Sequence, residues 1–385
     1  MNPNSTDPNI TRVVVVGGGY AGVLAANRLQ RPGVDITLVN PRPDFVERIR
    51  LHQMIAGTHT ATVPYADVLG PGVRLMVDTA ERIDAPARRV LLASGGEIGY
   101  DYLIDAVGST GSVPEFAYGL SEFEDAQRLR DRLDELGAGA PVVVVGAGLT
   151  GIETAAELAE QGHPVSLVGA LGPSLAPSGR RSVAKRLRAL GVDVVRDVEV
   201  RAVAGDNVTL SDGRVLPSAV TIWTAGFGVP GLAAASGLSV DDIGRLRTDE
   251  TLTSIDDPRI VAAGDCASPS DLPLRMSCQA AMPMGAQAAQ TVLARIAGTE
   301  PAVLNQAFAS QCLSVGRAAG TVQFSHSDDT PRTLFLGGRI GAFVKEKICR
   351  YTVVALRREA AEPGAYTWFK SGWRRDRVPV PVAAR

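Results

Sequence analysis

The stretch TRVVVVGGGYAGVLAANRL, residues 11–29, decides the fold. Val13 to Val16 are a run of β-branched apolar residues, suited to a buried strand. Gly17, Gly19 and Gly22 follow in G-x-G-x-x-G spacing, and the small residues from Tyr20 onward predict a helix. Such glycines permit a tight turn and bring the backbone close to a pyrophosphate seated on the helix N-terminus. A second strand, DITLV, completes a β–α–β unit of the kind that binds a dinucleotide. It ends at Asn40, where an acidic ribose ligand is usual; an amide can still hydrogen-bond a hydroxyl, without the charge.

The same pattern returns in APVVVVGAGLTGIETAAELAEQGHPVSLV, residues 140–168. Val142 to Val145 make the strand, Gly146, Gly148 and Gly151 the turn, and Gly162 with Pro164 ends the helix. Two such units predict two dinucleotides facing each other. In the second unit Gly169 and Ala170 stand where the acid would be. A missing carboxylate no longer repels a 2′-phosphate, so NADH and NADPH are both allowed. Arg180 and Arg181 lie close enough in sequence to reach such a phosphate, or else belong to a solvated basic helix face.

Around these units the chain repeats itself again. Residues 90–109 and 208–227 each read as a hairpin followed by a strand, returning to Gly108 and to Gly226. Residues 119–139 read as a connecting helix. In DPRIVAAGDCA, residues 257–267, Asp265 follows a buried strand, where a carboxylate can accept from a ribityl hydroxyl. Residues 276–298 predict a helix beginning near Pro283, or kinked there. Beyond about residue 300, short strands and a basic helix predict a small further domain. Its Lys345, Lys347, Arg350, Trp368 and Trp373 fit either a domain-covering helix with a solvated tail or an amphipathic foot on a membrane.

Composition excludes several classes. With a formal net charge of -2, 45% hydrophobic residues and no basic–aromatic interleaving, nothing argues for nucleic acid. Cys266, Cys278, Cys312 and Cys349 lie too far apart for a zinc knuckle or a dithiol centre, so no metal site is expected and a reducing compartment fits. The polar start, residues 1–9, reads as a short arm and not as a signal peptide. The expected location is cytoplasmic, either soluble or peripheral on the cytoplasmic membrane face.

In the order VVVVGGGYAG, YDYLIDAVGS, VVVVGAGLTGIETAAEL, TIWTAGF and IVAAGDCA, the chain resembles the FAD-dependent pyridine nucleotide–disulphide oxidoreductase superfamily. Within it the resemblance runs to type II NADH dehydrogenases and apoptosis-inducing-factor-like flavoproteins. This implies an α/β fold: two Rossmann-like three-layer nucleotide-binding domains of glutathione-reductase type plus a small α+β C-terminal domain. The expected division is 1–115 with 255–300 for FAD, 116–254 for NAD(P)H, and 301–385 for an interface or membrane-surface domain.

By the same resemblance, Gly17, Gly19, Ala21 and Gly22 would meet the FAD pyrophosphate. Asn40, Arg48, Ala80, Gly108 and Asp265 would contact the rest of the cofactor, and Gly146, Gly148 and Gly151 the nicotinamide dinucleotide. Glu153, Lys345 and Gln279 would be the catalytic set, with His52, Gln53 and Met282 to Met284 as further pocket residues. Pro283 and Met284 stand where type II dehydrogenases carry paired glutamines, and no cysteine precedes Cys266, which excludes disulphide reduction. The implied activity is hydride transfer from NADH or NADPH to FAD, then reduction of a quinone-like acceptor, with a homodimer as the implied assembly. A soluble reductase of a specialised aromatic quinone or of a redox protein, and a non-catalytic NAD(P)H-sensing flavoprotein, are the alternatives.

Overall fold

The computed structural model describes residues 10–378; the polar arm at residues 1–9 lies outside them. Two five-stranded parallel sheets dominate it. The first has the spatial order Ile260–Ala262, Tyr102–Asp105, Thr11–Val16, Val34–Asn40, Val73–Val77. The second has the order Ala117–Gly119, Val220–Trp223, Val142–Val145, Val165–Val168, Asp193–Val195. Every pairing in both is parallel. Strands buried on both faces need continuous apolar runs, and the two valine runs supply them: Val13, Val15, Val143 and Val144 are fully buried.

The outer strand beside Tyr102–Asp105, and the one beside Val220–Trp223, come from connections between the two halves of the chain. The sheets are thus stitched to each other through their edges. In each sheet the order reverses beside the first strand, at the mouth of the glycine turn, and such a switch point is where open α/β sheets bind ligands. Each half also carries the anticipated antiparallel three-stranded excursion, Ala80–Asp84 to Glu97–Gly99 and Val200–Val203 to Val215–Pro217.

One helix differs from its sequence reading. It spans Cys278–Ile296 with Pro283 inside it, starting five residues before the proline. Ser277 caps it by accepting from the Ala280 N–H, so the start is set by the cap and not by the ring. Gly285 lets this helix lie against Tyr20–Arg28: a Cβ there would sit 2.2 Å from the Ala21 carbonyl oxygen.

The C-terminal part is the expected α+β unit. Strands Ser310–Ser314, Gly320–Ser325 and Pro331–Gly337 form an antiparallel sheet, and the helix Gly338–Ala361 follows. The inward face of that helix carries Gly341, Lys345, Cys349, Thr352, Leu356 and Glu359, spaced three or four apart. Glu359 closes a buried ion pair with Arg28 of the first glycine-turn helix, Nε to Oε1 2.6 Å.

Candidate functional site

Both glycine turns open onto one cavity of about 1760 Å³. The turns are built alike. Gly17 and Gly146 both adopt φ +100°, a conformation an L side chain rarely takes. A Cβ on Gly22 would lie 1.8 Å from the Gly17 carbonyl oxygen, and one on Gly151 would lie 1.8 Å from that of Gly146. A Cβ on Gly19 or Gly148 would meet nothing within 4 Å. The three glycines of each turn therefore do different work: one bends, one lets helix and strand touch, and one leaves room for a ligand.

Gly19 and Gly148 are also the N-cap residues of helices Tyr20–Arg28 and Leu149–Glu160, and neither helix has a side-chain cap. Free N–H groups at a helix N-terminus, with empty space before them, suit a pyrophosphate. Two such cradles on one cavity fit a pair of dinucleotides.

Gly17, Gly19, Ala21, Asn40, Ala80 and Gly148 all line the cavity, and Arg48, Gly108 and Asp265 line it as well. Gly22, Gly146 and Gly151 do not; what the structure shows of them is the bend and the close backbone approach just described. Asn40 also has a part within the turn. Its Oδ1 accepts from Gly18 N–H at 2.9 Å and its Nδ2 donates to the Arg42 carbonyl at 2.9 Å, so the amide braces the turn. Tyr65, which sequence reading passed over, donates to the Gly18 carbonyl from the other side at 2.7 Å.

Ser109, also unnoticed in the sequence, joins three expected residues. Its hydroxyl donates to Asp265 at 2.7 Å and lies 3.3 Å from the Arg48 guanidinium beside Gly108. In the second unit, Gly169 takes φ +131°, a conformation a side chain rarely adopts. The acid is therefore replaced by a bend. Arg180 donates back to the Leu175 carbonyl, and neither it nor Arg181 lines the cavity.

Where the three parts of the chain meet, four distant residues converge. Lys345 Nζ lies 3.1 Å from Glu153 Oε1. The Ser314 N–H donates to the same oxygen at 2.9 Å, and the Ser314 hydroxyl lies 3.3 Å from it. His52 Nε2 is 3.3 Å from that hydroxyl, and its Nδ1 is 3.8 Å from Glu153 Oε2. Glu153, Lys345 and His52 line the cavity. Gln53 does not; its carbonyl oxygen accepts from Arg50.

Burial opposes ionisation of Glu153, but Lys345, His52 and the Ser314 N–H hold its carboxyl below the usual range. Burial likewise opposes the Lys345 ammonium, and Glu153 outweighs it, so the amine stays charged. Burial dominates at His52 and brings it down to about 4, so its ring is neutral at pH 7.

Gln279 lines the cavity too, with its amide turned to donate to the Ser310 carbonyl and accept from the Ala309 N–H. It ties the helix start to the C-terminal sheet. Met282 and Pro283 reach the cavity and Met284 does not.

One turn beyond Glu153 sits Glu157, nearly fully buried. Arg317 approaches its Oε1 to 2.6 Å, yet not along a hydrogen-bonding direction. Burial pushes this carboxyl up to about 7, with Arg317 opposing and Glu160 and Glu153 adding to the rise. A carboxyl that binds its proton more tightly when folded makes stability fall as pH rises from the ordinary carboxylate value to about 7, and stay low above it. The expected loss across that window is roughly 3 kcal/mol. Denaturant titrations at pH 5 and pH 8 should show it in the natural protein and lack it in Glu157→Gln; equal pH dependence would refute the assignment.

The sequence profile of the pyridine nucleotide-disulphide oxidoreductase family matches residues 11–291. An NADH dehydrogenase-like protein of Mycobacterium tuberculosis is 35% identical over 323 residues, 74% of this chain and 80% of the relative. The type II NADH:quinone oxidoreductase Ndh of the same species is 28% identical, over 78% of this chain and 76% of the relative. Among solved structures, the sulfide:quinone oxidoreductase of Aquifex aeolicus superposes with a TM-score of 0.78 at 21% identity, covering 92% of this chain and 93% of that one. NDH2 of Plasmodium falciparum in complex with NADH gives 0.76 at 15% identity, covering 92% and 99%.

Proposed function

The chain belongs to the pyridine nucleotide-disulphide oxidoreductase family, and from that premise we propose that it is an FAD-dependent NADH dehydrogenase reducing a quinone-like acceptor. The observation that carries this reading is the pair of matched, uncapped turns on one cavity, with the Glu153–Lys345 pair where the three parts meet.

The first turn suits FAD, through the Tyr20–Arg28 helix N-terminus, Arg48 and Asp265. Ser109 occupies one Asp265 oxygen, which leaves the other for a ribityl hydroxyl. FAD, when bound, takes a hydride from the nicotinamide and returns the electrons to the acceptor. The second turn receives the donor. With Arg180 turned back on Leu175, and neither it nor Arg181 on the cavity, the reading favours NADH over NADPH.

The net reaction consumes NADH, one proton and a quinone, and yields NAD+ and the quinol. The chain's share is positional and electrostatic. The Lys345 ammonium presents fixed positive charge to an acceptor oxygen gaining electron density, and Glu153 keeps that ammonium charged and in place.

The proposal extends to location. Leu334 in the last strand and Ile340 and Phe343 in the first turns of the C-terminal helix are exposed, and the Lys347 ammonium lies over the Phe343 ring at 5.4 Å. Apolar side chains flanked by cations suit the surface of an anionic bilayer. No helix among the described residues is long and apolar enough to cross a membrane. A homodimer enters the proposal through the family resemblance alone.

Anaerobic stopped-flow reduction tests the reading. Flavin absorbance should bleach faster with NADH than with NADPH at equal concentration, and reoxidise on adding a quinone, more rapidly when anionic vesicles carry the quinone. Bound flavin that neither nucleotide reduces would overturn the assignment.

A further inference from the structure

Beyond the C-terminal helix the chain folds back across the cavity as a strap latched at both ends. At the near end, Glu359 accepts from Gly364 N–H at 2.8 Å and Tyr366 N–H at 2.7 Å while paired with Arg28. At the far end, Arg374 is buried, bonded to both oxygens of Glu250 at 2.7 and 2.9 Å and to the Leu272 carbonyl. Between the latches, Trp368 Nε1 donates to the Asn305 carbonyl at 2.9 Å, and the Ala307 N–H donates to the Phe369 carbonyl at 2.8 Å.

Two arginine latches and an indole bond hold in place a segment that has no regular secondary structure. What they present to the cavity is Tyr366, Thr367, Trp368 and Phe369. The Tyr366 and Trp368 rings stack with centroids 6.2 Å apart and planes 19° apart. Arg28 and Lys370 lie over the indole at 5.6 and 5.1 Å, which further restricts it. Ile348, Tyr351 and Thr352 of the C-terminal helix line the same cavity, and Lys345 stands one turn before Cys349. Phe369 is exposed, so this wall reaches the outside.

We propose that the strap 366–369 is the acceptor-side wall of the cavity, and that Trp368 selects a planar aromatic two-electron acceptor, a quinone ring, by offering it a fixed aromatic edge. This rests on the functional reading above and names the residue that sets its acceptor class. The occupant follows from continuity: the limb joins the cavity that holds Lys345 and both glycine turns, so a molecule seated against the strap shares one space with the redox cofactors. A second turn of helix in place of the strap would carry no such flat face.

The test compares holoenzyme of the natural sequence with Trp368→Ala and Trp368→Phe. Calorimetric titration of 1,4-naphthoquinone into the oxidised proteins reports binding without turnover. Steady-state assays then separate KM from kcat. Trp368→Ala should weaken naphthoquinone binding and raise its KM about tenfold, the loss of roughly one buried aromatic contact. Its flavin content and its anaerobic reduction by NADH, which precedes any contact with the acceptor, should stay near natural values, and Trp368→Phe should restore most of the affinity. Unchanged naphthoquinone affinity in Trp368→Ala would overturn the proposal, as would a loss of flavin and thermal stability that phenylalanine does not rescue. Failure of NADH to reduce the natural holoenzyme would instead refute the dehydrogenase reading, and the titration would still judge the strap.

Discussion

Gly148→Val should leave a folded, yellow protein whose flavin NADH no longer reduces at a useful rate. A Cβ at Gly148 meets nothing within 4 Å, so the added side chain starts in open space. Its side chain enters the space before the Leu149–Glu160 helix N-terminus, where the donor's phosphates would sit. Displacing a donor by an ångström or more can cost about 100-fold in rate, and we expect at least that. Gly19→Val is the matched variant: it blocks the first cradle and should purify without flavin. Gly151→Val is the contrast, because its Cβ would lie 1.8 Å from a carbonyl oxygen, and it should fail to fold. Flavin absorbance, thermal midpoint and stopped-flow bleaching distinguish the three. Reduction of Gly148→Val at the natural rate would show that the second turn is not the donor site.

Arg28→Met should be the most damaging single change outside the two turns. The Arg28 and Glu359 side chains are 4% and 0% exposed, so removing the guanidinium strands a carboxylate with only backbone donors. Breaking such a pair from one side costs about 3–5 kcal/mol. The same substitution frees the near latch of the strap, since Arg28 also donates to the Tyr366 carbonyl. Adding Glu359→Gln removes the stranded charge and should recover part of the loss. Urea denaturation of the natural protein and of both variants measures it. A loss below about 1 kcal/mol for Arg28→Met would mean that the pair behaves as an exposed one.

Much of this was legible in the sequence because it is local. Gly17, Gly19 and Gly22 lie within six residues, and steric rules of the backbone act over that range whatever surrounds them. The strand runs, the connecting helix, seen at Phe123–Leu136, and the strand–helix order of the C-terminal unit were readable for the same reason. Pro283 misled on the helix start because a serine cap six residues earlier outweighs a proline in the second turn. The bracing bond of Asn40 could not be read in the same way, because its partner, the Gly18 N–H, is presented by the bend of the turn and not by residue type.

The candidate site was legible only as separate names. Glu153, Lys345 and His52 could each be picked out, but their meeting depends on how a helix of the second sheet, a short helix beside the first, and the C-terminal helix pack together. Ser314 carried no signal at all; its N–H and hydroxyl matter because the strand Ser310–Ser314 ends beside Glu153. Glu157 drew no notice in the sequence, and its high proton affinity comes mainly from burial, with Glu160 and Glu153 adding to it.

By itself, then, the sequence determined that this chain bends twice into dinucleotide cradles, since short-range sterics leave those glycine spacings few other conformations. Tertiary structure alone decided which side chains face the shared cavity, which carboxyls stay charged, and that a latched aromatic strap closes one wall. Those properties depend on desolvation and on contacts between residues hundreds of positions apart, and only the packed chain brings them together.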